Sequence, residues 1–368
     1  MLAWSLMALV VFAHSIGRAD AFNVTGRVDR TSWNVSGSLL ITNQFDFDVT
    51  VRGSSWNIIL RTDDTRLKPH GLVSWEMGSD GTDTFILDRY YTGPAQAEKE
   101  PVVTGKNSGK NQPPPAMARI ISGSIPYSQS APFGQIWLAY AAGPYLQSKT
   151  TNRLRQVWEF TTSHDNFDPR LEYKADWKIT GDFASQVNYY NEGGVIYSKN
   201  GLLKSAKFPQ PWGLGFLEAT YSAYEFIQFG GKYVPSQAQF KRYFPTLKSS
   251  NTNDINLISD YLILANKVNS VNRESLLPAL PSARVAVADY RNYVSIGAPI
   301  SYSVSNREWP NVEKVMRLKT YHVQHAIALR KQQELQPNHW RRYTVYAPLV
   351  AILVISFIIA AKNKKKNT

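Results

Sequence analysis

The segment Phe45-Asp46-Phe47-Asp48-Val49-Thr50-Val51-Arg52 alternates apolar and polar residues without a fault. A period of two places every apolar side chain on one face of an extended strand, and no helix satisfies that pattern. The same alternation starts at Phe22 and continues through Val24, Gly26 and Val28, and a further strand is expected at 56–60, after Gly53-Ser54-Ser55. Strand candidates 72–75 and 84–91 flank Ser79-Asp80-Gly81-Thr82. Asp-Gly there supplies the positive φ values of a tight hairpin. A calcium loop built on Asp80 and Asp83 is the rival, but that ion needs six or more oxygens and the turn is too short to offer them.

Composition changes over residues 93–118, where Gly, Pro, Lys, Asn and Gln dominate and Pro113-Pro114-Pro115 falls near the end. This reads as a linker or long loop. Beyond it, 134–142 (GQIWLAYAA) is a short apolar run that fits a helix or a buried strand, ended by Gly143-Pro144. Strands are expected at 156–161 and 171–179, and at 195–198 with 202–205 around Asn200-Gly201. A long aromatic hairpin follows over 216–229 and 232–243, with further strands at 255–264, 283–290 and 300–304. Turn signals recur and nothing demands crossover helices, so the expected class is mainly β, with antiparallel sheets arranged as a sandwich or half-barrel. One long helix is expected over 311–336, with Pro310 in its first turn, Pro337 as its stop, and a broad apolar band of Val312, Val315, Met316, Val323, Ala326, Ile327 and Leu329. Packing of that band on the sheet is the simplest expectation, and a basic amphipathic helix lying on a membrane is the alternative.

The two ends carry localisation signals. Residues 2–13 (LAWSLMALVVFA) are apolar but too short to span a bilayer, and Ala19-Asp20-Ala21 follows as a small-x-small cleavage pattern. Residues 1–21 therefore read as a signal peptide, although no Lys or Arg precedes the apolar run. At the other end, 343–361 is a stretch of 19 residues without a charge, about 30 Å of helix at ~1.5 Å per residue. Trp340, Tyr343 and Tyr346 suit a headgroup belt, and Lys362, Lys364, Lys365 and Lys366 against Arg341 and Arg342 put the C-terminus on the cytoplasmic side. The expected order is signal peptide 1–21, N-terminal antiparallel β region 22–92, linker 93–118, second β-rich region 119–309, juxtamembrane helix and connector 310–340, transmembrane helix 341–361, and basic tail 362–368.

The net charge of +13 falls to +7 once the six cations flanking the terminal apolar run are set aside. A diffuse +7 outside the cytoplasm does not point to nucleic acid. With no cysteine in the chain, thiol catalysis and thiolate metal sites are excluded. Absence of cysteine beside an export signal favours a bacterial inner-membrane protein with a periplasmic domain. The sequons Asn23-Val24-Thr25 and Asn34-Val35-Ser36 and the terminal Lys365-Lys366-Asn367-Thr368 favour instead a type I protein of the endoplasmic reticulum.

Motifs that carry chemistry are few. His322 and His325 sit three apart on the expected helix but lack the Glu of a His-Glu-x-x-His site and a third ligand. His164-Asp165-Asn166-Phe167-Asp168, next to Pro169, reads as a loop. No nucleophile elbow, phosphate loop or dinucleotide fingerprint occurs, and Gly213-Leu214-Gly215 is too short to count. No catalytic, cofactor-binding or metal-binding residue is assigned, and no cofactor is expected. The aromatics, including Tyr221, Tyr224, Phe226 and Phe229, fill a core or line a groove for a glycan, a peptide or an acyl chain.

The expected function is a single-pass, membrane-anchored, non-catalytic binding or structural module of the cell envelope. Its partners would be the membrane and an envelope protein, glycan or lipid, without nucleic acid. The alternative is a carrier that cups a lipid or other apolar ligand in a curved sheet. That layout resembles, in architecture and not in motif, the half-barrels of outer-membrane lipoprotein carriers. A second alternative is an envelope hydrolase with a catalytic site assembled from distant residues.

Overall fold

The computed structural model describes residues 21–335 except 63–71, 91–115, 127–130, 159–171, 200–201, 247–250, 252–253, 282–283 and 306. Residues 1–20 of the expected signal peptide, most of the linker, the His164–Asp168 segment, the transmembrane run and the basic tail lie outside the described residues. Among the described residues no helix is long and apolar enough to cross a membrane.

The first arm is a meander: β1 (Ala21–Trp33), β2 (Leu39–Arg52), β3 (Ser55–Arg61), β4 (Leu72–Ser79), β5 (Asp83–Tyr90) and β6 (Met117–Ser122), each antiparallel to the one before. β6 begins inside the stretch read as linker, because Ala118 is buried and pairs with Leu87. The second arm contains β7 (Arg153–Arg155), β8 (Glu172–Thr180), β9 (Phe183–Asn191), β12 (Phe216–Phe229), β13 (Lys232–Pro245) and β14 (Ile255–Val271). β10 (Gly194–Lys199) and β11 (Leu202–Lys207) form a separate hairpin, as the Asn200-Gly201 signal predicts. β15 (Val285–Asp289) joins the first arm beside β6 in the sheet's parallel pair, and β16 (Ile300–Val304) forms the edge.

β1 pairs with β14 along nearly all of its length, from Ala21↔Val271 to Ser32↔Ser259, and this union makes a single 14-stranded sheet. The expected antiparallel β class is therefore observed, as one sheet that contains strands from both β stretches. The alternation read at Phe45–Arg52 becomes cross-strand rows. Val24, Val49, Ile58, Met77 and Ile86 are directly opposed across five strands, and all are buried. A one-residue slip would turn that row to the opposite face, so burial fixes the register.

The apolar run 134–142 resolves as helix α1 (Phe133–Tyr140), followed by α2 (Gly143–Ser148) with Pro144 in its first turn. Eight residues make a marginal helix in water. This one is buried on every side, in keeping with a sequence that is apolar all round. Its neighbours show that the sheet is curved. α1 touches β3 and β2 of one arm and β13, β12 and β9 of the other. In sheet order β3 and β9 are six strands apart. At ~4.8 Å per strand that is about 29 Å along a flat sheet, far more than the ~10–12 Å width of a helix. Contact with both requires the sheet to wrap around α1.

Close approach is set by glycine. A Cβ on Gly134 would lie 1.9 Å from the Val157 carbonyl oxygen, and one on Gly143 would lie 1.7 Å from that of Asp182. On the sheet, a bulge between Thr25 and Gly26 lets the Phe47 ring lie over Gly26, and the same ring sits 5.6 Å from that of Tyr140 on α1.

The expected helix over 311–336 is two helices, α4 (Val312–Met316) and α5 (Lys319–Leu335), preceded by the short α3 (Tyr293–Ile296). They pack against β16 through Ile296, Ile300, Val315 and Ala328. The expected inward direction of the apolar band is corrected. Val323, Ile327 and Leu329 are exposed, and the residues of α5 turned toward the protein are Tyr321, Gln324, His325 and Ala328. A small residue permits close approach there, and Ile296, Ile300 and Val315 supply the bulk. This region is tied to the sheet by Arg291, which donates to Asp289, Asp83 and the Pro310 carbonyl. Burial raises the Asp83 carboxyl pKa despite the Arg291 guanidinium beside it.

In a free helix, Gly134→Ala would add about 1 kcal/mol of stability. Here the new methyl meets backbone, so the urea midpoint is expected to fall by the equivalent of about 1–3 kcal/mol. An unchanged or raised midpoint would show that α1 is not seated against the Val157 carbonyl.

Candidate functional site

The interior between the two arms is lined by aromatic rings. Trp158 stands edge-on to Tyr173 and Tyr189, with centroids 5.7 and 4.9 Å away, and Phe240 lies 6.2 Å from Trp158 and 5.9 Å from Tyr261. Trp137 of α1 meets Tyr145 of α2 at 5.5 Å. Cations close this layer: the Arg242 guanidinium lies 5.7 Å from the Trp158 ring, Arg30 lies 5.5 Å from Tyr261, and Lys149 lies 4.9 Å from Tyr145. Each cation is itself engaged, with Lys149 paired to Glu172 at 2.5 Å and Arg242 reaching Glu218 at 3.4 Å. Burial lowers the Lys149 pKa, but its hydrogen bonds to Glu172 and Tyr145 outweigh that and hold it above the usual lysine value.

Within this apolar shell sits a group of polar atoms with no hydrogen-bond partner among the described residues. They are the Gln135 carboxamide (both atoms), the Trp137 indole N–H and the Tyr140 hydroxyl on α1, and the Tyr221 hydroxyl on β12. Tyr140 and Tyr221 are close enough to influence each other electrostatically. Buried polar groups are nearly always paired in folded proteins, so four such residues on one helix and its facing strand need a cause. Leaving each unpaired costs about 1–3 kcal/mol. Unpaired neutral donors and acceptors in an apolar interior are the chemistry with which a small-molecule site orients its ligand.

All four groups are neutral. Burial pushes the phenols of Tyr140 and Tyr221 well above the ordinary tyrosine range, so both stay protonated. They offer hydrogen bonds and no charge. The arrangement suits orientation of an uncharged polar group within an apolar surround, and it does not form a nucleophile–base pair.

The residues singled out in the sequence are dispersed. Asp80 closes the β4–β5 turn by accepting from the Thr82 and Asp83 amides, with Gly81 at φ +95°, and Asp83 faces Arg291. The hairpin reading holds. His322 and His325 both pack on the Tyr321 ring, and among the described residues no group of three metal-ligating side chains is found. Of the aromatic hairpin, Tyr221 is buried in the interior, Phe226 and Phe229 are half-buried, and Tyr224 is exposed. Gly213-Leu214 lies in a single 3-10 turn over Trp212–Leu214. The Asn23 sequon does not present a usable acceptor. Asn23 is buried in the sheet, and its amide nitrogen donates to the Asp48 carboxylate, the Val49 carbonyl and the Thr50 hydroxyl. The interior residues Gln135, Trp137 and Tyr140 were not legible as a site. The one signal for them is a carboxamide and a hydroxyl inside an otherwise apolar run.

No protein-family model matches the sequence, and no curated protein matches it. Among solved structures, the chain is similar to a LolA superfamily protein from Nitrosomonas europaea, with 11% identity over 70% of this chain and 89% of that one and a TM-score of 0.29. It is also similar to a DUF1329 family protein from Desulfovibrio piger, with 10% identity over 73% and 92% of the two chains and a TM-score of 0.28. The functional reading rests on this chain's own geometry.

Two outcomes follow from the neutral, unpaired tyrosines. Tyr140→Phe and Tyr221→Phe each remove a hydroxyl that has no partner, so in ligand-free protein the thermal midpoint is expected to hold or rise; a marked fall would reveal a bond that these hydroxyls make. The phenols of Tyr140, Tyr173, Tyr189, Tyr221 and Tyr302 are all raised, chiefly by burial. A folded pKa above the unfolded value of about 10 means that the native state keeps protons the unfolded state loses. Their contribution is complete below pH ~10 and drains away above it, by up to about 1.4 kcal/mol per pH unit for each tyrosine. Tyrosinate absorbance from these residues should therefore appear together with unfolding in alkaline titration, and not before it.

Proposed function

We propose that this chain is a non-catalytic binding protein that takes an apolar or amphipathic ligand of the lipid class against the concave side of its sheet. α1 serves as the inner wall. The observation that carries this reading is the set of unpaired neutral groups, Gln135, Trp137, Tyr140 and Tyr221, buried inside an aromatic shell. Apolar chain would lie against the rings, and an uncharged polar end such as an ester or hydroxyl would satisfy the hydroxyls and carboxamide. The reading also places the protein at a membrane and outside the cytoplasm, held by the apolar run 343–361, where such a ligand is at hand.

Native mass spectrometry of the gently solubilised full chain tests it. A lipid-sized mass is expected to remain bound and to be removed by organic extraction. The extracted protein should then take up a fluorescent monoacylglycerol, with the double variant Tyr140→Phe/Tyr221→Phe binding about tenfold more weakly through loss of two hydrogen bonds. A bare polypeptide mass together with no uptake by the wild-type chain would overturn the proposal.

A further inference from the structure

Helix α5 is mounted with its aliphatic side chains facing away from the protein. Val323 is 50% exposed, Ile327 43% and Leu329 47%, while Tyr321, Gln324 and Ala328 occupy the inner face. Val323 and Ile327 are one turn apart and so form one outward stripe, with Ala326 beside them and Lys319 and Arg330 at its ends. The adjoining α4 repeats the pattern, burying Val315 and exposing Val312 and Met316. An amphipathic helix in water ordinarily turns its apolar stripe to the core. Here five aliphatic or thioether side chains are left outside, and they are interleaved with cations. Between Val312 and Arg330 the charged residues are Lys314, Arg317, Lys319 and Arg330 against Glu313, all exposed.

We propose that the outer face of α4 and α5 lies on an anionic lipid bilayer, with Val323, Ile327 and Met316 in the headgroup–acyl boundary and the four cations among the lipid phosphates. Two observations select a membrane over another occupant. The charge is complementary to acidic lipid and stands at both ends of the apolar stripe, within reach of lipid phosphates around it. The chain itself also supplies proximity. α5 ends at Leu335, and only seven residues separate it from the uncharged run 343–361. Seven residues reach at most about 25 Å when fully extended, so if that run spans the bilayer the C-terminal end of α5 is held within about this distance of the surface. The proximity argument rests on the membrane anchor of the proposed function. The exposed stripe and its cations do not, and neither depends on the interior ligand.

The absence of native cysteine makes single labels unambiguous. Full-length Val323→Cys and Ile327→Cys carry an environment-sensitive NBD label, with Gln228→Cys, exposed on the β12–β13 hairpin, as control. Each is reconstituted into nanodiscs of phosphatidylcholine, with or without about one third phosphatidylglycerol. Expected is a blue shift and quenching by doxyl-labelled lipid at positions 323 and 327, stronger with the anionic lipid and absent at 228. In the Lys319→Glu/Arg330→Glu background the dependence on anionic lipid should disappear. Labels at 323 and 327 that stay as water-exposed as the label at 228 in every nanodisc would overturn the proposal. A lipid-independent shift with disulfide cross-linking between Val323→Cys chains would overturn it in favour of a second copy. Failure of the chain to enter nanodiscs would sink the anchor alone; the same labels mixed with vesicles of the two compositions would then decide the docking by the same readout.

Discussion

Everything in this structure depends on the ladder between β1 and β14. These strands lie far apart in sequence, at Ala21–Trp33 and Ile255–Val271, yet they pair from Ala21↔Val271 to Ser32↔Ser259 and fuse two meanders into one sheet. Each arm alone would expose an apolar face and a free edge. Joined, the arms continue a single inner surface on which the row through Val24 and Val49 meets the aromatic layer of Phe240 and Tyr261. The long sequence separation carries a heavy loop-closure cost, which is repaid only when the core between the arms forms at the same time. α1 is central to that repayment, because both arms touch it.

The interior is arranged at a cost to stability. Filling α1 with Leu and Ala alone would have made a quieter core than one holding a carboxamide, an indole N–H and a hydroxyl without partners among the described residues. Departures from the rules of a stable core are expected at functional or strained sites. The outward-facing α5 is a second violation of the same kind. It leaves Val323 and Ile327 exposed, a few residues ahead of the uncharged run 343–361.

Much of the fold was legible because strands announce themselves by period. The alternation at Phe45–Arg52 and the turns at Asp80-Gly81 and Asn200-Gly201 gave hairpins that the structure contains. β9 was missed because its inward positions mix Phe183 and Ala184 with Val187 and Tyr189, and a register shift in β8 between Lys178 and Ile179 breaks the alternation that would pair with it. Eight apolar residues cannot separate a buried helix from a buried strand, so α1 waited for tertiary context. In α5 the apolar period was visible but its direction was not. A helical stripe says only that one side differs from the other, and the choice of inner side was made by Ala328 fitting against Ile300 and Val315. The unpaired interior groups carried no motif, because a site made of neutral hydrogen-bonding side chains has no fixed spacing in sequence.

The ladder of fourteen strands runs from β16 at one end to the three-residue β7 at the other, and among the described residues these ends do not pair. A closed barrel has its radius fixed by strand number and shear. An unclosed sheet has no such condition, and it can change girth by a small change of twist at each strand without giving up a single ladder bond. A sheet built this way can adjust its girth, so under the proposed function the chain length and branching of a ligand would be graded by fit to the α1 wall and would not be set by a rigid rim.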